Sequence, residues 1–487
     1  MSLPADAFQA IRSAIAAIPP DASADAVGAN AARLDEIYAP ETHAAALDPA
    51  TPIVLGSRGS GKSFWASVLF QSDTREAAAR AYPRLGLDRI EVRFGYTGIG
   101  GPDGVSVDAI DKAVAPNGSH DDAKAFWWAT ILSAADRSAG NETARPSVFL
   151  DLARDYEARE DQLLAHENRL RAAGKSLLVV YDALDTVART WPRRRLLTET
   201  LLEVVWAMRA YRAIRLKLFL RPDQLDDDAL RFVELPKLRT GAIRLDWTAW
   251  DLYGLLFARL ALAPDDDART AFAALLQLNN LPQGNRDSIL THRWPLAYIP
   301  TDQKTLMTAL AGPYMGQGAY AYKKGNTYDW PMTHLGDARA EVTPRSFLGM
   351  MIAAARHLTP PVDRVITPEG IRHGLRAASK TRVDQLHQEF PWIKGVLAPL
   401  AGLLLPRVEE DVYHVWSNAL TVQRLIADAE NNYLPPFPDP ERQGEHELFV
   451  ALERIGVMFR RKDGRLDMPD LFRVAAKLLR RGGIAPV

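Results

Sequence analysis

Residues 52–70 read PIVLGSRGSGKSFWASVLF, and this stretch constrains the chain more than any other. The apolar run Pro52-Ile53-Val54-Leu55 leads straight into Gly56-Ser57-Arg58-Gly59-Ser60-Gly61-Lys62-Ser63, which satisfies the pattern G-x-x-x-x-G-K-[ST] in full. A strand over 52–55, a glycine loop and a helix starting near Gly61 follow from the pattern. Glycines let the backbone curl so that successive N–H groups face phosphate oxygens, and the following helix aims its positive end at the same point. Lys62 would neutralise the β and γ phosphates of a nucleotide, and Ser63 would ligate Mg²⁺. A chance Gly-rich turn is the bland alternative, but it would not need a strand before it and a helix after it.

The rest of the first half supplies alternating strands and helices. DRIEVRFGY (88–96) alternates Ile90, Val92 and Phe94 as a strand does, and a Gly-rich loop and an aromatic helix over 121–136 come next. A polar helix is expected over 150–172. KSLLVVYDALD (175–185) contains five consecutive apolar or aromatic residues after Ser176, as in a strand covered on both faces of a parallel sheet. A helix over 193–211, a strand over 215–221 and a last strand over 242–247 complete an α/β layer fold with a central parallel sheet. Beyond Trp247 the pattern is mainly helical, with segments over 248–262, 344–358 and 368–390. Four regions are expected: an N-terminal helical arm over 1–45, a core over 46–247, a helical lid over 248–360 and a helical, winged C-terminal region over 361–487.

A phosphate cradle needs a further acid for its metal. Asp182 stands at the carboxyl end of a buried strand, where α/β folds place their ligands, and its carboxylate would hold the magnesium shell beside Ser63. Asp185 would orient or activate the attacking water, or else cap the next helix. Arg221 closes another strand at the same sheet edge, where it would sense the terminal phosphate or only cap the strand. Pro344-Arg345 opens a helix, from which Arg345 would clamp the nucleotide.

Together, the glycine loop, the D-x-x-D strand end, the strand closing on Arg221 and the helix starting Pro344-Arg345 resemble the additional-strand class of P-loop ATPases. Within that class the chain is similar to the STAND and KAP groups of bacterial signalling NTPases, over about residues 45 to 360. The resemblance implies a sheet in which strand 215–220 separates strand 52–55 from strand 176–181. It also implies that Lys62 and Ser63 belong to the nucleotide loop, Asp182 is the magnesium aspartate, Asp185 the second acid, Arg221 the sensor arginine and Arg345 the lid arginine. Ala183 departs from the pattern, since many relatives carry a second acid directly after the magnesium aspartate. Arg189 and the cluster Arg193-Arg194-Arg195 are candidate arginine fingers toward a neighbouring subunit, or a solvated basic helix start.

At 487 residues, 47% of them hydrophobic, the chain can bury more than one core, and two to four domains are expected. The formal charge of −1 supplies no global field for nucleic acid or an anionic membrane, so any such binding must be local. With 0 cysteines the chain has no disulfide, thiolate metal site or cysteine nucleophile, which fits the cytoplasm. Leu3, Phe8, Ile11 and Ile15 mark a short amphipathic helix rather than a secretion signal. GVLAPLAGLLLP (395–406) contains Pro399 and falls short of the about 20 residues that span a bilayer, so no membrane segment is expected.

Near the C-terminus, residues 445–483 read as a helix, a hairpin turning at Lys462-Asp463-Gly464, and a closing helix. This winged-helix-like module carries Arg460, Arg461, Lys462 and Arg465, and would serve as a protein contact or track DNA phosphates. Asp226-Asp227-Asp228 and Asp265-Asp266-Asp267 read as turns and caps, and Trp127-Trp128 as core. The expected function is Mg²⁺-dependent ATP binding and hydrolysis, used as a conformational switch in a bacterial signalling or anti-phage defence assembly with a protein partner or as a homo-oligomer. A nucleic-acid-associated motor or loader is the alternative, and a scaffold that binds nucleotide but barely hydrolyses it is a third.

Overall fold

A computed structural model of the chain describes residues 3–19, 31–188, 190–225, 230–358, 361–429, 433–437, 439 and 441–486. Arg189 and Asp226-Asp227-Asp228 lie outside the described residues. The chain divides into two units, one comprising Ser23–Asp246 and the other Met1–Ala22 with Trp247–Val487.

In the first unit five strands form one sheet: β1 (Ile53–Leu55), β2 (Ile90–Tyr96), β3 (Ser176–Tyr181), β4 (Ile214–Leu220) and β5 (Ile243–Arg244), in the order β2-β3-β4-β1-β5. Every pairing is parallel. β4 separates β1 from β3, the arrangement the resemblance implied. β3 is buried at every position after Ser176, which explains its unbroken apolar run: helices cover both faces of the sheet, so no position faces water. Leu55 pairs with Leu220, and Tyr181 with Leu218. The strands therefore finish side by side, and Gly56, Asp182 and Arg221 all follow on the carboxyl edge.

Four helices matter for that edge: α1 (Lys62–Phe70), α2 (His120–Ser138), α3 (Tyr156–Ala172) and α4 (Trp191–Ala207). Ser119 starts α2, accepting from the Asp122 amide at 3.1 Å, while the Asp122 carboxylate accepts from the Ser119 amide. Trp127 and Trp128 are core residues on α2, and Trp127 Nε1 donates to the Leu197 carbonyl on α4 at 2.9 Å. The single polar helix expected over 150–172 is two, Leu150–Arg154 and α3. Asp155 interrupts it by adopting an extended backbone and capping the Ala158 amide at 3.1 Å. β5 is shorter than expected, Ile243–Arg244 rather than 242–247.

Lys217 sits fully buried within β4. Its ammonium donates to three carbonyls, those of Ala46 at 2.7 Å, Thr51 at 2.8 Å and Asp48 at 3.0 Å. It thereby holds the segment leading into β1 against the sheet. His43, also buried, accepts from Trp65 Nε1 on α1 at 3.1 Å through Nδ1, and its Nε2 lies 3.0 Å from the Asp246 carbonyl.

The second unit is mainly helical. Ala5–Ala17 is the expected amphipathic helix, burying Phe8, Ile11 and Ile15 against helices Asp266–Leu278 and α5 (Pro344–Ala355). Asp265 caps Asp266–Leu278 by accepting from the Asp267 amide at 3.0 Å, as its acidic run suggested. α5 packs along α6 (Pro368–Glu389). Further on come strand β6 (Leu404–Leu405), helices α7 (Glu409–Asn418) and α8 (Glu445–Arg454), the antiparallel hairpin β7 (Phe459–Arg460) and β8 (Leu466–Asp467), and β9 (Leu479–Arg480), which pairs parallel with β6. The closing helix expected after the hairpin is a single turn, Asp470–Arg473. Turn-type backbone bonds run on to Lys477, whose φ of 59° ends them, and the fully buried Arg473 guanidinium binds Asp470 at 2.7 Å and the carbonyls of Leu478 at 2.9 Å and Ile484 at 3.0 Å. Among the described residues no helix is long and apolar enough to cross a membrane.

Candidate functional site

The loop between β1 and α1 is built on backbone that only its sequence permits. Gly56 follows β1 and donates to the Leu220 carbonyl at 3.0 Å, and a Cβ there would come within 2.4 Å of Ser60 Oγ. Gly61 precedes α1 at φ 102°, in the left-handed region that an L side chain rarely adopts. Ser57, Arg58, Gly59 and Ser60 complete the turn, closed by a bond from the Ser60 amide to the Ser57 carbonyl at 3.2 Å. Lys62 and Ser63 are the first two residues of α1. The Lys62 ammonium reaches back over the loop, donating to the carbonyls of Gly56 at 2.7 Å and Ser57 at 3.1 Å. A glycine loop, a helix N-terminus and an ammonium thus lie together, an arrangement suited to phosphate.

Asp182 follows β3 and is 3% exposed. Its amide donates to the Tyr96 carbonyl at 3.0 Å, and its carboxylate lies beside the Ser63 hydroxyl. Burial pushes the Asp182 carboxyl above its ordinary range, opposed by the Ser63 bond and the nearby Lys62 charge. A hydroxyl and a desolvated carboxylate in contact beside an ammonium form an oxygen donor set that fits a hard cation such as Mg²⁺.

The chain then turns sharply. Ala183 takes φ 55°, a left-handed conformation costing an L-residue about 1–2 kcal/mol, and leads into the one-turn 3₁₀ helix Leu184–Thr186. Asp185 lies in that turn, and its Oδ2 is 3.5 Å from Arg221 Nη1. It does not cap α4, whose N-cap is Thr190. The sheet edge therefore brings Lys62, Ser63, Asp182, Asp185 and Arg221 together from three strands.

Asp223, which the sequence did not single out, and Arg194, a candidate finger there, complete this edge. Asp223, in the turn Pro222–Leu225, accepts from both Arg221 Nε and Nη2 at 3.0 Å, and Arg194 Nη2 on α4 lies 3.7 Å from its Oδ2. Burial works against the Asp223 charge, but the Arg221 and Arg194 guanidiniums hold its carboxyl below its ordinary value. The only hint in the sequence is an acid two residues after Arg221 in RPDQL. The solvated basic helix start expected at Arg193-Arg194-Arg195 is not what forms. Arg194 is 8% exposed, and Arg193 donates to Asp111 Oδ1 at 2.7 Å and to the Ala115 carbonyl at 2.7 Å, because α4 turns its first-turn cations inward onto neighbouring acceptors.

Arg345 occupies the second position of α5, half-buried, in the second unit. It lines a cleft of about 300 Å³ between α5 and α6, shared with Arg356, His373 and Arg382. The C-terminal hairpin carries its cations in pairs. Arg460 binds Glu409, Arg465 donates to Asp463 at 2.7 Å, and Arg461 lies 3.4 Å from Asp467.

Among solved structures the chain is similar to the Aeropyrum pernix ORC2 protein in its ADPNP-ADP complexes, at 14% identity over 90% of this chain and 88% of that one, with a TM-score of 0.30. A likeness of that size assigns no activity. No family model matches the chain, and no curated protein matches it.

Proposed function

We propose that the protein is an Mg²⁺-dependent ATPase. The observation that carries this reading is the contact between Ser63, at the start of α1, and the buried Asp182, at the end of β3, beside a glycine loop capped by Lys62. In this reading the loop amides and Lys62 bind the β and γ phosphates, and Ser63 with Asp182 holds the cation. A divalent cation held there would supply positive charge against the negative phosphate groups. Asp185, the more exposed of the two acids after β3, orients the attacking water and accepts its proton. Arg221 reaches the terminal phosphate from the same edge. Arg345 keeps the role of lid arginine on the strength of its place at the second position of α5.

We propose further that hydrolysis sets a conformational switch within a bacterial signalling or anti-phage defence assembly, with a protein partner or a second copy of the chain. This step rests on the resemblance to STAND and KAP groups alone. A nucleic-acid-associated ATPase is the second reading. It is supported by the C-terminal arrangement, in which the Arg407 amide donates to the Leu466 carbonyl at 3.0 Å and the return bond is 2.7 Å, so that the chain before α7 extends the β7–β8 hairpin as in a winged helix. The carboxylate partners of Arg460, Arg461 and Arg465 weigh against that hairpin as a phosphate tracker.

The test is calorimetry of MgATP binding with phosphate release measured on the same samples. Wild type should bind and release phosphate, Lys62→Ala should do neither, and Asp185→Asn should bind but release little. No heat from wild type sinks the proposal. Binding with no release, unchanged in Asp185→Asn, favours a scaffold instead.

A further inference from the structure

Asp223 lies in the one-turn helix Pro222–Leu225, which β4 reaches through the single residue Arg221, so the turn folds back over that side chain. The Arg221 amide is itself pinned to Gln224 Oε1 at 2.9 Å. Its guanidinium meets the Asp223 carboxylate fork to fork, through Nε and Nη2, both at 3.0 Å. Two parallel bonds fix the plane of a guanidinium as well as its position. Arg194 lies 3.7 Å from Asp223 Oδ2, the oxygen that also accepts from Arg221 Nη2, and both arginines are 8% exposed.

The geometry leaves Arg221 Nη1 as the nitrogen turned toward Asp185, at 3.5 Å, which is an ion pair longer than a good hydrogen bond. The Asp185 side chain is 35% exposed against 17% for Asp223. Arg221 is thus held by a forked bond to a half-buried acid, while Nη1 faces the more exposed Asp185 across a longer ion pair. A loose ion pair of this kind exchanges readily for a phosphate oxygen, whereas the forked pair does not.

We infer that Asp223 is a positioning residue, which holds Arg221 in the orientation that lets it exchange Asp185 for the terminal phosphate of a bound triphosphate. The exchange reads the γ-phosphate and releases Asp185 toward water in the same event. Arg194 from α4 is a second cation beside Asp223, adding to Arg221 in holding its carboxylate charged. This inference rests on the nucleotide-binding reading of the same edge.

The experiment measures dissociation constants of MgATP and MgADP by calorimetry for wild type, Asp223→Asn, Arg221→Gln and the double variant, so that no turnover is needed. Wild type should prefer ATP. Asp223→Asn should lose about tenfold of that preference with ADP affinity intact, and the double variant should be no worse than Arg221→Gln alone, since the two act through one guanidinium. Asp223→Glu, which keeps the charge, should recover part of the preference, and it serves alone if Asp223→Asn does not fold. Equal loss of ATP and ADP affinity in Asp223→Asn, an unchanged preference, or additive effects in the double variant overturn the inference. Wild type that binds neither nucleotide overturns the underlying reading as well, so the two failures are told apart.

Discussion

The Ser63 hydroxyl, in the first turn of α1, lies beside the Asp182 carboxylate at the end of β3, although β3 is not a neighbour of β1 in the sheet. β4 lies between them, and the two meet because the three parallel strands end within two residues of one another on one edge. Removing the Asp182 charge should therefore act on the cation rather than on the phosphate cradle. Asp182→Asn is expected to bind ATP in EDTA about as wild type does, and to lose the gain from Mg²⁺ by about 10–100-fold, the range for metal-site carboxylates and their partners. Calorimetry with and without Mg²⁺ checks this; equal losses in both conditions would place Asp182 outside the cation site.

His43 makes the first unit acid-labile. Its buried ring accepts from Trp65 Nε1, and a ring nitrogen that accepts cannot also be protonated. Burial lowers its pKa from 6.5 to about 4, only partly offset by the bond to the Asp246 carbonyl. Between those values the unfolded chain binds the extra proton and the folded one does not, so stability is full above about pH 6.5 and is lost as pH falls toward 4. The expected loss is about 1.4 kcal/mol per pH unit, or about 3 kcal/mol in all. Urea unfolding at a series of pH values should show this slope, and His43→Gln, which can donate and accept without titrating, should flatten it.

Lys217 carries stability of a different kind. Lys217→Met fills similar space but strands the carbonyls of Ala46, Asp48 and Thr51, each of which accepts from the ammonium. We expect a loss of about 2–4 kcal/mol by urea unfolding, since orphaned buried acceptors cost more than the bonds themselves contribute. A loss below about 1 kcal/mol would mean that water replaces the ammonium.

The C-terminal hairpin should bind duplex DNA weakly at most. Arg460, Arg461 and Arg465 already hold carboxylates, so few phosphates can be neutralised without breaking an ion pair. Any binding should show a plot of log K against log salt no steeper than about −2. A slope near −4, abolished by charge-neutral substitution of the three arginines, would show that the pairs open for DNA and would favour the nucleic-acid reading.

Local patterns carried much of this architecture. The five-residue apolar run after Ser176 marked a doubly covered strand, the aromatic stretch around Trp127 marked a core helix, and Asp265 marked a cap, because each depends on neighbours a few positions away. The break at Asp155 and the truncated helix at Arg473 were not legible. The first arises from a side-chain cap that undercuts a helix already under way, the second from a left-handed backbone at Lys477.

The same division holds at the site. From the sequence alone come the curled loop, the ammonium of Lys62 and the helix that begins there, since glycine spacing and chain direction determine them through local sterics. Tertiary structure decided which distant side chains meet the loop: that Asp182 reaches Ser63, that Arg221 faces Asp185, and that Asp223, unremarkable in the sequence, locks that arginine with Arg194 beside it. Strand order and register set those meetings, and they result from burying whole faces of the sheet, a property no short stretch of residues encodes.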